Sequence, residues 1–312
     1  MMTRIIAATA AALFVLITGL SAPAQAWGLK GHAIIGEAAV ARMPQDLPAF
    51  MQSKAAKDEI VYLQSEEDRL KIGVTQDRAW AREWTTDHYL DIGDDGKVAG
   101  FISLDALPAT RDDYITTLWQ SPKHVDAYSV GFAPYAILEG YEQVRADFAL
   151  WRLAPAAEKA ERESLTIHDI GVFAHFVGDG SQPLHMSVHY NGWGEYPNPA
   201  GYTTSRTFHA DYEDVFVDAH LTAADVQPLV RPAKTFADVP LAEIGRYLTA
   251  TSAQVVPLYE MAKHGALASG EPSDAQRALI KFSAVRLAAA ATMLDSLIET
   301  AWHASATLKG QD

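Results

Sequence analysis

Two stretches of this sequence place histidine and carboxylate side chains one helical turn apart. His175 and Asp179 are separated by four residues in a segment with helical periodicity, so their side chains share one face. Gln182 and Pro183 then end the predicted helix, and the chain can fold His185 back toward that face. Imidazole nitrogens and carboxylate oxygens are donors that divalent transition metals bind. These residues therefore predict a metal site at the end of a helix.

A second pair, His209 and Glu213, has the same spacing on another predicted helix. Such pairs on two helices are typical of metal sites in helix bundles. Either pair alone is more often an ion-paired helix surface. His175 favours the metal interpretation because Phe173 and Val177 surround it with apolar groups. An imidazole without a partner there would cost on the order of a few kcal/mol.

The first 26 residues predict a signal peptide. Arg4 supplies a positive charge, residues 5–20 an apolar stretch, and residues 24–26 (Ala-Gln-Ala) a small-residue cleavage site. An uncleaved membrane anchor is the alternative, but the apolar stretch is short and interrupted by polar residues. We therefore expect an exported protein, periplasmic or extracellular, with a single mature domain of residues 27–312.

Cleavage there would leave Trp27 as a free N-terminus. Its α-amine and carbonyl oxygen can close a five-membered chelate ring on a metal ion, and His32 could supply a further nitrogen. The amine has an ordinary pKa of about 8, so a metal displaces its proton under mild conditions. The alternative is an aromatic residue that only packs against the core.

Composition limits the partners and the donors. The 312-residue chain has a net charge of −14, which is a poor surface for gripping nucleic acid or an anionic membrane over many phosphates. A polyanionic substrate would have to be held locally by metal charge. The chain has no cysteine, so a transition metal must bind histidine, carboxylate or backbone atoms.

The elements that must position these residues are predicted to be helices, because apolar residues recur at helical spacing and alternating strand patterns are scarce. The helix candidates are residues 32–42, 45–56, 105–119, 130–150, 155–178, 208–220, 240–263 and 273–304. The last carries an apolar stripe that we expect to be core: Leu279, Phe282, Val285, Ala289, Met293 and Leu297. A turn is expected at residues 94–96, and a long aromatic loop at residues 190–207.

Together these residues resemble the superfamily of zinc-dependent single-strand nucleases of fungi and plants and the related bacterial zinc-dependent phospholipases C. The resemblance runs from Trp27 to about Asp218, and its most specific parts are the start at Trp27 and the block from His175 to His185. It implies an all-α, single-domain, multi-helix fold around a trinuclear zinc site.

The resemblance implies three zinc ions on nine residues. The first ion would be held by Asp77, His88, His175 and Asp179, the second by His185, His209 and Glu213, and the third by Trp27, His32 and Asp179. Asp77 would also be catalytic, orienting the attacking water. His168 and His189 are expected near this set, as supporting groups or as alternative ligands.

The two branches of the superfamily differ in substrate, and this chain carries marks of both. The interval from Trp27 to His32 and the long gap between His185 and His209 resemble the nucleases, whereas Glu213 resembles the phospholipases. In the nucleases an aromatic residue and an aspartate hold the base, which would make Tyr89 and Asp91 substrate-binding residues here.

Tyr190, Trp193, Tyr196 and Tyr202 of the long loop could stack exposed bases. They could equally meet lipid, or close the loop over the core.

We therefore expect a zinc-dependent phosphodiesterase that hydrolyses its substrate by a metal-activated hydroxide. The favoured substrate is single-stranded DNA, RNA or nucleotides. A phospholipase C acting on phospholipid head groups is the first alternative, and a non-catalytic zinc-binding protein of the same fold is the second. No stable protein partner is evident from the sequence.

Overall fold

Helices carry nearly all the regular structure in the computed structural model, which describes residues 27–74, 84–237, 240–269 and 273–308. In this part of the chain the α-helices are α1 (Gly28–Arg42), α2 (Lys54–Leu63), α3 (Glu66–Val74), α4 (Arg111–Gln120), α5 (Ala133–Leu153), α6 (Lys159–Asp179), α7 (Phe208–Ala210), α8 (Val217–His220), α9 (Ala223–Val226), α10 (Leu241–Ser252), α11 (Val255–Lys263) and α12 (Asp274–Ser305). A π-helix, Asp211–Phe216, joins α7 to α8. The all-α class predicted from the sequence is confirmed.

Short elements connect these helices. The 3-10 turns are Ala49–Gln52, Thr86–His88, Leu104–Ala106, Ala127–Ser129, Ala156–Glu158, Pro183–Met186 and Gln227–Leu229. Strands β1 (Lys97–Val98) and β2 (Ile102–Ser103) form an antiparallel hairpin that the sequence analysis did not predict. An isolated bridge from Ile92 to Val98 extends it. The turn predicted at residues 94–96 leads into this hairpin.

The two predicted helices with the largest delay in their starts begin after capping residues that fix those starts. In place of a helix over 45–56, the chain makes a 3-10 turn, and α2 begins after Ser53, whose hydroxyl accepts the amide proton of Ala56 at 3.1 Å. In place of a start at 105, α4 begins after Thr110, whose hydroxyl accepts from the amide of Asp113 at 3.1 Å. Such side-chain acceptors satisfy amides that have no partner within the helix.

The helix predicted over 240–263 is divided in the structure. Helix α10 ends at Ser252, and α11 begins at Val255. Pro257 explains the break, because its ring nitrogen has no proton to donate back to the carbonyl of residue 253. In the first turn of a new helix that proton has no intrahelical partner, so proline is tolerated there.

The core lies between α1, α5, α6 and α12, with α2 packed on the outer side of α6. The α2–α6 contact is close because position 171 is glycine. A Cβ atom there would lie 2.5 Å from Cβ of Leu63. Helix α6 therefore enters the centre of the fold with its C-terminal turn buried. None of the helices in the described residues is both long enough and apolar enough to cross a bilayer.

Candidate metal centre

The C-terminal turn of α6 carries two of the predicted donors into the core. His175 and Asp179 are both fully buried and lie one turn apart. The chain then turns through Gln182, whose side-chain oxygen accepts the amide proton of Leu184 at 2.8 Å. The following 3-10 turn returns His185 to the same region, where it is also buried. The local sequence thus positions three donors with one helix end and one turn.

His88 completes a close triangle with these donors. Its Nδ1 lies 3.0 Å from Oδ2 of Asp179 and 3.0 Å from Nε2 of His175. The third side, from Nε2 of His175 to Oδ2 of Asp179, is 3.3 Å. Tetrahedral zinc with ligand bonds of about 2.0–2.1 Å separates its ligands by roughly 3.3 Å. The three atoms therefore have the spacing that one metal ion requires.

Backbone carbonyls orient two of the imidazoles. His175 Nδ1 donates to the carbonyl oxygen of Gln64 at 2.9 Å, which leaves Nε2 facing the triangle. His185 Nδ1 donates to the carbonyl oxygen of His88 at 2.6 Å, which leaves Nε2 facing Glu213. Carbonyl acceptors of this kind fix the tautomer and the ring direction of metal-binding histidines.

His32 and Asp68 extend this group, and Asp68 was not predicted. The His32 ring, on α1, stacks on His175 with centroids 4.1 Å apart, and its Nε2 lies 3.2 Å from Oδ1 of Asp179. Asp68, on α3, is fully buried, and its Oδ2 lies 4.0 Å from Nε2 of His32. Donor atoms of Asp68, His88 and His175 lie within 4.8 Å of one another.

We call His32, Asp68, His88, His175 and Asp179 the first cluster. Asp77, predicted as its fourth donor and as catalytic, lies outside the described residues. Asp68 escaped the sequence analysis because it follows Glu66 and Glu67 in the first turn of a helix, where acidic residues are ordinary. Burial separates it from Glu66 but not from Glu67, and its place among the imidazole donors distinguishes it from both.

The electrostatics of the first cluster favour a bound cation. Burial acts to raise the pKa of Asp179, but His175 and the hydrogen bonds from the neighbouring imidazoles hold it well below its usual range. Burial likewise acts to lower the pKa of His175, and Asp179 and Asp68 instead raise it to about 9. Two buried carboxylates thus require positive charge, and a divalent ion supplies it with the same donors.

A further sign of fit is the state of His32. Burial lowers the pKa of its imidazole, with a contribution from His175, so the ring favours the neutral form that binds metals. Within the described part of the chain, its Nδ1 is buried without a hydrogen-bond partner. The donor set of nitrogen and oxygen atoms without sulfur suits zinc and its neighbours in the first transition row.

The second cluster consists of His185, His209 and Glu213, all buried. Oε2 of Glu213 lies 2.8 Å from Nε2 of His209 and 3.8 Å from Nε2 of His185. Gln182 donates to the same carboxylate oxygen at 2.8 Å and so fixes its direction. From the sequence, Gln182 is predicted only to help end a helix.

The helix that carries His209 and Glu213 departs from the predicted form. Residues Asp211–Phe216 are π-helical, whereas the sequence predicted a continuous α-helix over 208–220. π-helical turns are rare and occur often at functional sites. The pair remains on one face, and Tyr212 between them is buried with its hydroxyl 3.1 Å from that of Ser283.

Trp27 lies beside the first cluster. Its indole nitrogen donates to the carbonyl oxygen of Gly178 at 3.0 Å and to the hydroxyl of Ser181 at 2.8 Å, so its side chain spans the turn around Asp179. The side chain is fully buried, and its ring centroid lies 5.7 Å from that of Tyr212. Chelation by its amine and carbonyl oxygen stays a prediction, since the residues before it are outside the described part.

Tyr89 and Asp91 follow His88 directly. The amide of Leu90, between them, donates to the carbonyl oxygen of His185 at 2.8 Å, which ties this segment to both clusters. Burial alone raises the pKa of the Asp91 carboxyl to about 7. The ring of Tyr89 packs against Gly131, where a Cβ atom would lie 2.8 Å from it. Substrate binding by this pair stays a prediction.

The aromatic loop divides into two groups. Trp193 and Tyr202 are buried against Tyr259, so they close the loop over the core. Tyr190 and Tyr196 are 55% and 45% exposed and remain available to a ligand.

The two additional histidines lie apart from the clusters. His189 stacks on Trp193 and contacts Asp94 through Nε2 at 2.8 Å. His168 is on the surface, with Nδ1 2.9 Å from a carboxylate oxygen of Asp169. Neither belongs to the metal-donor groups found among the described residues.

No protein-family model and no curated protein matches this chain. Two solved structures are similar to it at a TM-score of 0.44. One is the alpha-toxin of Clostridium absonum, with 11% sequence identity over 91% of this chain and 67% of the toxin chain. The other is the alpha-toxin of Clostridium perfringens, with 12% identity over 89% of this chain and 65% of the toxin chain. This chain thus spans about two thirds of the toxins' length.

Proposed function

We propose that this protein is a zinc-dependent hydrolase of phosphodiesters. The observation that carries the proposal is the convergence of eight buried imidazole and carboxylate side chains, in two clusters joined by the turn from Asp179 to His185. A structural zinc site needs four donors and closes the ion off. Two adjacent donor sets that share one turn suit a multinuclear site, in which several positive charges act on one phosphate.

The residues of the two clusters have separate roles in this proposal. The first cluster would hold zinc between His88, His175 and Asp179, with Asp68 and His32 as further donors. The second would hold zinc between His185, His209 and Glu213. When bound, zinc would polarise the phosphate and lower the pKa of a coordinated water toward about 7. The carbonyl oxygen of Gln64 orients His175 through a hydrogen bond of 2.9 Å. The side-chain amide of Gln182 orients Glu213 through one of 2.8 Å.

Three further parts of the proposal go beyond the contacts described above. They are a third zinc on Trp27, His32 and Asp179, orientation of the attacking water by Asp77, and export after cleavage before Trp27. A recombinant chain with one extra residue ahead of Trp27 tests the first and is expected to bind fewer zinc ions. Equal zinc content in both forms would refute the N-terminal chelate.

For the substrate, we place phospholipid head groups ahead of single-stranded nucleic acid, which reverses the order favoured by the sequence. Of the four loop aromatics that could stack bases, Trp193 and Tyr202 are buried. The net charge of −14 also disfavours contact with several phosphates at once. Binding of a single phosphodiester needs neither stacking aromatic rings nor contacts with several phosphates. Nucleic acid remains the second candidate because Tyr190 and Tyr196 are exposed beside the segment that carries Asp91.

Hydrolysis of bis-p-nitrophenyl phosphate tests the activity, with metal content measured on the same samples. We expect turnover that is lost on chelation and restored by zinc. His175→Asn should abolish it, whereas His168→Asn, an exposed position on the same helix, should not. A fully zinc-loaded protein without turnover would refute the hydrolase and leave a zinc-binding protein.

Substrate class is tested by supplying phosphatidylcholine vesicles and single-stranded DNA or RNA in parallel. Release of phosphocholine without release of nucleotides supports our order. Release of nucleotides alone would reverse it and make the protein a nuclease.

A further inference from the structure

A groove of about 500 Å³ lies between the middle of α12, helix α10 and the segment 229–236. None of the donors of either cluster lines it. Its volume falls in the range of sites that bind small molecules. The groove is therefore a candidate binding site separate from the metal centre.

A ladder of hydroxyl groups on α12 fixes one wall of this groove. Three backbone amides of the adjacent segment donate to hydroxyls spaced one helical turn apart: Arg231 to Thr292 at 3.0 Å, Lys234 to Ser296 at 3.1 Å, and Phe236 to Thr300 at 3.0 Å. The segment is thus held along α12 by side-chain hydrogen bonds and forms no strand. A wall held at three points gives the groove a defined shape.

The floor of the groove is apolar, and it comes from the stripe that the sequence assigned to the core. Val285, Ala289 and Met293 line the groove, and Val285 is 39% exposed. The core assignment is therefore wrong for Val285, whereas Met293 is 8% exposed, lies in the core and only borders the groove. Lining residues of α12 run from Val285 to Ser296, which spans about 16 Å of helix. A groove of this length suits an extended alkyl chain better than a compact ion.

Arg286 brings positive charge to this apolar floor. The guanidinium is half-buried, and burial lowers its pKa, although Tyr247 and Tyr212 act to raise it. No carboxylate of the described residues pairs with it, although the chain carries a net charge of −14. A partly buried guanidinium without an anionic partner is costly, and an anionic ligand would remove that cost.

Two more cations stand at the rim. Arg231 and Lys234 line the groove, both exposed, and neither pairs with a carboxylate of the described residues. Arg246 also lines it but forms an ion pair with Glu243, so its charge is balanced. The groove thus presents three unbalanced positive charges around an apolar floor.

We propose that this groove binds an anionic amphiphile, with one linear alkyl or acyl chain on the Val285–Met293 floor and its carboxylate or phosphate at Arg286. The charge alone would suit any anion, and the floor alone any apolar chain. Their combination selects a ligand with both parts. This site is independent of the hydrolase proposed above.

Displacement of a fluorescent probe, dansylaminoundecanoate, from the zinc-loaded protein tests the proposal below micellar concentrations. Dodecanoate and dodecyl phosphate are the competitors, with dodecanol and inorganic phosphate as controls that carry one part each. We expect the two anionic amphiphiles to compete at least about tenfold better than either control. The stronger of the two identifies the head group.

Variants test separately how the positive charge of Arg286 and the apolar floor contribute to probe binding. Arg286→Gln should weaken probe binding at least about tenfold, and Arg286→Lys should retain most of it. Arg277→Gln is the matched control, an exposed arginine of the same helix that pairs with Asp274 outside the groove. Val285→Trp should fill the floor and also block the probe. Circular dichroism and zinc content verify that each variant is folded.

Equal probe affinity in folded Arg286→Gln and wild type would overturn the proposal. Displacement by dodecanol as strong as that by dodecanoate would overturn it too, because it would show an apolar pocket without anion selection. Neither outcome depends on whether the protein hydrolyses phosphodiesters.

Discussion

Asp91→Asn is expected to make the protein more stable at neutral pH and less active. The Asp91 carboxyl is half-buried three residues after His88, and loss of solvent there raises its pKa from 3.8 to about 7. Above pH 7 the folded protein must therefore hold an ionised carboxylate in a poorly solvated place. Asparagine has nearly the same shape and no charge, so it removes this cost.

The sign and size follow from proton linkage. The folded pKa lies above the unfolded value, so the folded state binds the proton more tightly and its stability falls as pH rises from about 4 to about 7. Each pH unit in that window costs about 1.4 kcal/mol. The full cost above pH 7 is then up to about 4 kcal/mol, which is roughly 8 °C of melting temperature for a chain of this length.

Thermal and urea unfolding of zinc-loaded wild type and variant at pH 5, 6, 7 and 8 measure this difference. The gain in stability should grow steadily with pH and level off above pH 7. Asp95→Asn, at an exposed position in the same segment, is the control and should show no such growth. A gain for Asp91→Asn that is the same at pH 5 and pH 8, or a loss at pH 8, would refute the reasoning.

Activity supplies the second half of this test. If Asp91 binds substrate, as the resemblance to the nucleases implies, the more stable variant should have a higher KM, since stability and function then compete for the same carboxylate. Unchanged kinetics would show that Asp91 is a half-buried acid without a role in substrate binding.

Four other substitutions test the metal centre and its surroundings. Asp68→Asn should lose one zinc equivalent and most activity. Asp77→Asn, measured in parallel, shows whether both aspartates bind zinc. Full zinc content in Asp68→Asn would show that Asp68 is not a zinc donor. Gln182→Leu should weaken zinc binding at the second cluster by about 10–100-fold, measured by competition with a chelator, because the glutamate loses its 2.8 Å hydrogen bond; an unchanged affinity would contradict this role. Gly178→Ala should cost about 1–3 kcal/mol in urea unfolding, because its Cβ would lie 2.9 Å from the ring of His32, and wild-type stability would show that the imidazole can shift freely.

How much of the metal centre the sequence could predict depends on the distance along the chain between its donors. His175 with Asp179, and His209 with Glu213, are i, i+4 pairs, and helix geometry alone places such pairs on one face. The turn after Asp179 was also visible, because Pro183 must end a helix. What this local pattern left open was which of the other histidines and acids would join these pairs.

Tertiary packing decided that question. His32, Asp68 and His88 come from separate elements, and they meet His175 only because α1, α3 and the Thr86–His88 turn all pack against the end of α6. Asp68 illustrates the difficulty. In sequence it is one acid among three at a helix start, and only the packed structure shows it fully buried beside two histidines.

The last helix shows the same division from the other side. Its apolar periodicity determined that Asp274–Ser305 would be a helix with one apolar stripe. The sequence could not determine which part of that stripe would be covered, because covering depends on where distant segments lie. The structure places Leu279 and Leu297 in the core and leaves Val285 at the floor of a groove beside an arginine. Local spacing fixes the face of a helix, and packing alone decides what that face meets.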